Sequence, residues 1–100
     1  MSPEERAILR RLCTAEGHLH AVIIMLKTGK PGDEVLHQLG AVQSALRLAG
    51  YALARHQVKR SLEAILYAPC EEERQTELDK LKDLYRWLTR APIFIQEENL

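Results

Sequence analysis

The stretch from Gly32 to Leu66, GDEVLHQLGAVQSALRLAGYALARHQVKRSLEAIL, holds no proline and is rich in Ala and Leu. It reads as one helix, well beyond the usual span of about 8–20 residues. Between Val35 and Leu53 its apolar residues form two adjacent rows, Leu39, Val42, Leu46, Ala49 and Leu53 beside Ala41, Ala45, Leu48 and Ala52. Together they cover about half the circumference at about 100° per residue. One neighbouring helix needs only one row. Beyond Leu53 the same half turns polar, with His56, Lys59 and Arg60, while Val58, Leu62, Ile65 and Leu66 move to another sector. The pattern predicts a helix that changes partners along its length, with an oligomer seam in its middle.

The flanking segments have their own start and stop signals. Ser2, Pro3 and Glu5 make an N-cap, a proline at the first helical position and the closing member of a capping box. Behind them Ile8, Leu12, Ala15, Leu19, Val22 and Leu26 recur with heptad spacing. Helix 1 is expected over about 3–27, stopped by Thr28-Gly29-Lys30-Pro31-Gly32, with Gly32 or Asp33 capping helix 2 over about 33–67. Ala68-Pro69 ends helix 2, and helix 3 follows over about 71–90, with three glutamates at its positive end and Arg86 and Arg90 near its negative end. Leu78, Leu81, Tyr85 and Leu88 form its expected apolar stripe. In the tail, 91–100, Ile93, Phe94 and Ile95 are expected to pack on a neighbour.

The resulting fold class is all-α, a three-helix protomer in one domain, 1–100. Helices 1 and 2 form an antiparallel hairpin, two hairpins form a dimeric four-helix bundle, and helix 3 packs outside. If two copies of helix 2 pair antiparallel about Arg47, Gln38 of one copy meets His56 of the other in an otherwise apolar sector. A crystal structure with the two residues far apart across the dimer would exclude that register.

Composition narrows the function classes. With 100 residues, 46% hydrophobic and 28% charged, the chain is an ordinary globular domain of limited core, which oligomerisation would extend. The formal net charge is +0, yet Val35 to Leu62 holds four cations, Arg47, Arg55, Lys59 and Arg60, and no acid. Cys13 and Cys70 lie far apart and outside any CxxC, so they read as free thiols. No run is apolar enough to span a membrane, and the start lacks the apolar stretch of a signal peptide, so a cytoplasmic protein is expected.

Enzyme chemistry is not supported. The sequence has no phosphate-binding glycine loop, GxSxG, HExxH or zinc-finger spacing, and its carboxylates gather at helix starts where the dipole explains them. His18 and His20 are two apart and point to different faces, a poor chelate, and His37 and His56 stand alone on helix 2. His18, His20 and Cys13 remain candidates for a metal site of another kind. The cations are better organised: Arg6, Arg10 and Arg11 on helix 1, and Arg47, Arg55 and Lys59 along helix 2, would repeat symmetrically in a dimer as a basic face for phosphates.

The order of residues adds a resemblance. RLCTAEGHLHAVIIMLKTGK, from Arg11, followed by DEVLHQLGAVQSALRLAGYALARH, resembles the copper-sensing and nickel-sensing repressors of the CsoR/RcnR type. The marks are Arg11, Leu12, Gly17 and His18, then Val35, Leu36, Gln38, Leu39, Ala41, Val42, Ala45 and Leu46. The resemblance implies a dimer of dimers that binds operator DNA through basic helix faces and releases it when a metal or reactive small molecule binds. Arg11 falls at the family's basic helix 1 position, whereas Glu16 stands where relatives usually carry a basic residue.

Copper sensors of that type use a Cys at the start of helix 2 and a His and a Cys late in helix 2 of the other chain. The matching positions are Gly32, Gln57 and Ser61. Their helical phases agree within about 40°, so the resemblance keeps the pocket's geometry but not its ligands. None of the three supplies a thiolate or imidazole for a soft metal. The expectation is a transcriptional regulator with a vestigial or repurposed pocket, no cofactor, and no copper response through the usual site. Alternatives are a helical interaction or scaffold protein without operator binding, and a sensor of a different metal or small molecule.

Overall fold

A computed structural model describes residues 1–90; the expected packing of Ile93, Phe94 and Ile95 lies outside them. Three helices follow in order, α1 (Pro3–Lys27), α2 (Gly32–Tyr67) and α3 (Glu71–Arg90), and the described residues include no strand.

The start of α1 is fixed by the expected reciprocal cap. Ser2 Oγ accepts from the Glu5 amide at 3.1 Å, and Glu5 Oε1 accepts from the Ser2 amide at 3.0 Å. Its end is a Schellman turn: the Gly29 amide donates to the Leu26 carbonyl at 3.3 Å and the Lys30 amide to the Met25 carbonyl at 3.0 Å. Gly29 sits at φ +78, a left-handed backbone that a side chain disfavours.

At the next start the structure corrects the sequence expectation. Neither Gly32 nor Asp33 caps α2; both lie inside its first turn, and the Pro31 carbonyl accepts from the amides of Glu34 and Val35. Proline is suited to this place because an amide there would have no intrahelical partner. Asp33 and Glu34 then complement the dipole from within the first turn. The Cys70 carbonyl plays the same accepting role for α3, receiving the Arg74 amide at 3.2 Å.

The chain divides into two compact units, Met1–Tyr51 and a second beginning at Ala52, and α2 contributes to both. In the first, the buried residues of α1 are Ile8, Ala15 and Val22, and those of α2 are Val35, Val42 and Ala49. Both sets step by seven, and in an antiparallel hairpin Val22 and Val35, Ala15 and Val42, and Ile8 and Ala49 stand at equal distances from the turn. Val22, Val35 and Val42 form one cluster with Met25 and Leu39 packed on it. The alternate members of the α1 seam stay open: Leu12 is 39% exposed, Leu19 41% and Leu26 68%. Leu46 and Leu48 are also exposed, so α1 covers only part of α2's broad apolar half.

The second unit departs further from the sequence reading. Ser61 is 1% exposed and Ala54 is buried, one seven-residue step apart, whereas Leu62, Leu66 and Tyr67 are exposed. His56 and Gln57 are half-buried. The polar sector of α2 is thus partly covered, and two of the four residues expected to form the new apolar sector are open. Small side chains at Ala54 and Ser61 permit close approach of a neighbouring backbone, which chain hydrophobicity alone does not reveal. Ala64, one turn nearer the connection, shares a groove with Glu73, Thr76 and Glu77 of α3. On α3 the half-buried residues are Arg74, Glu77, Leu81, Leu84 and Leu88, while Leu78 and Tyr85 are exposed. Its covered stripe is therefore rotated from the expected one, with Leu84 in and Tyr85 out. Glu71–Arg74, Glu77–Lys80, Asp79–Lys82 and Asp83–Arg86 pair along α3.

Candidate nucleic-acid interface and ligand positions

Two of the six expected phosphate-binding cations meet in one groove. Arg10 and Arg11 on α1 line an open cleft of ≈ 650 Å³ with Ala7 and Thr14 of the same helix and Ala45 and Leu48 of α2. The spacing from Ala7 to Arg10 or Arg11 and on to Thr14 is three or four residues, so these side chains share one side of α1. Both arginines are exposed, and the guanidinium fork suits bidentate contact with phosphate oxygens. Thr14 Oγ donates to the Arg10 carbonyl at 2.9 Å, the i−4 bond of a helical threonine.

The other four are not among the residues that line this cleft. Arg6 turns back, its Nη1 donating to the Met1 carbonyl at 2.8 Å. Arg47 is half-buried and does not line the groove. Arg55 and Lys59 are exposed one turn apart on α2, in the second unit. Ala7, Thr14, Ala45 and Leu48 are groove residues that sequence reasoning missed. The available signal was the hairpin itself, which sets the Ala45–Leu48 side of α2 beside the Arg10–Arg11 side of α1.

The three positions expected from the sequence resemblance to match the usual sensor ligands have contrasting surroundings. Gly32 is exposed at the first residue of α2, and a Cβ added there meets no atom within 4 Å. Gln57 is half-buried, and the buried Ser61 Oγ has no hydrogen-bond partner. Glycine offers no donor side chain, and an amide and a hydroxyl are neutral, hard donors that do not fit a soft metal. His18, His20 and Cys13 are all exposed on α1, the two histidines about 200° apart around the helix. Cys70 is exposed as well. Among the described residues no three His, Cys, Asp or Glu side chains gather as a metal-holding group. A second open cleft, ≈ 540 Å³, is lined by Met25, Asp33, Glu34, His37 and Gln38. His37 is thus less solitary than its sequence position suggests; Asp33 and Glu34, four and three residues before it, were the signal.

Residues 4–90 match the family described as metal-sensitive transcriptional repressor. The chain is 32% identical over 87 residues to the copper-sensing transcriptional repressor CsoR of Mycobacterium ulcerans (strain Agy99), covering 87% of this chain and 72% of that protein. No solved structure matches.

Proposed function

The chain belongs to the metal-sensitive transcriptional repressor family, and from that premise we propose that it is a cytoplasmic DNA-binding repressor that has lost the usual copper site. The observation that carries the DNA-binding part is the pair of exposed arginines at one cleft of the first unit. Phosphate contacts of this kind supply affinity and orientation, and they make binding fall steeply with salt. Arg11 is the principal contact, with Arg10 beside it; Arg6, Arg47, Arg55 and Lys59 extend the basic face when copies assemble.

The assembled form is a dimer, and two dimers make the tetramer, with each protomer serving as one domain. The open Leu12, Leu19, Leu26, Leu46 and Leu48 support this reading, since a short chain gains stability by covering such surface with a second copy. In that assembly Gly32 of one copy and Gln57 and Ser61 of another form a vestigial or repurposed pocket. An inducer acts there only as far as it binds the DNA-free form more tightly than the DNA-bound form. No copper response passes through these three positions, because none carries a thiolate or imidazole.

Anisotropy of a labelled duplex from upstream of this gene, against a random duplex of the same length, tests the repressor reading. A preference for the upstream duplex together with a steep salt slope is expected. Equal binding of both duplexes would instead favour a helical interaction protein.

A further inference from the structure

We draw no further inference here: the strongest candidate, the open cleft at the turn of the hairpin lined by Met25, Asp33, Glu34, His37 and Gln38, holds its two carboxylates in the first turn of α2, where the helix dipole accounts for them, and nothing among the described residues points to a ligand there.

Discussion

Ser61 condenses the unusual chemistry of this chain into one side chain. It is 1% exposed, and its hydroxyl has no hydrogen-bond partner. A buried, unpaired polar group costs about 1–3 kcal/mol, so Ser61→Ala should raise stability, by about 1 kcal/mol in urea unfolding; a lower midpoint would show that the hydroxyl is satisfied in the assembled protein. Gly32 offers the complementary experiment, since a Cβ there meets nothing within 4 Å. Replacing all three positions, Gly32→Cys, Gln57→His and Ser61→Cys, should create Cu(I) binding at this pocket, where the proposal expects none in the wild type, read by competition with a Cu(I) chelator. A triple variant that folds but still ignores copper would mean that these positions do not converge. The identities of these residues were plain in the sequence, but the burial of Ser61 was not, because a serine between Arg60 and Leu62 resembles an ordinary surface residue.

At the scale of elements, local chemistry was the most legible. The Ser2–Glu5 capping box and the Gly29 stop depend on neighbours within a few residues, and both occur as expected. Ser2→Ala should cost about 1 kcal/mol, and Gly29→Ala about 1–2 kcal/mol because φ +78 is retained by the turn; thermal unfolding of the two variants would check both, and unchanged midpoints would mean that the helix ends fray without consequence. The covered stripe of α3 was less legible. A stripe through Leu78 and Tyr85 and one through Glu77 and Leu84 are both consistent with helical spacing, and the choice turns on which long side chain lays its stem against α2. The Glu77 side chain is 19% exposed and paired with Lys80 at 2.9 Å, so its aliphatic stem is covered while its charge keeps a partner. Hydrophobic ranking favoured Tyr85, which is 68% exposed. The start of α2 was misplaced for a related reason: glycine and aspartate are common caps, but here the proline before them supplies the terminal carbonyl.

Across the whole molecule, the heptad of α1 and the double row of α2 encode more apolar surface than one hairpin covers. Ile8, Ala15 and Val22 are buried within the chain, whereas Leu12, Leu19 and Leu26 on the alternate positions remain open. The proposed assembly predicts a mass above one protomer in sedimentation, and Leu19→Glu, on the open row, should shift it toward the monomer; a monomeric wild type would remove the bundle. The family match spans residues 4–90 and so takes in both helices of the hairpin. The most direct measurement is anisotropy of the upstream duplex bound to the full chain, titrated with Cu(I) to one equivalent per protomer. A specific complex that forms and stays intact is the predicted result; release of the duplex by copper, or no specific complex at all, would contradict a DNA-binding repressor that has lost its copper site.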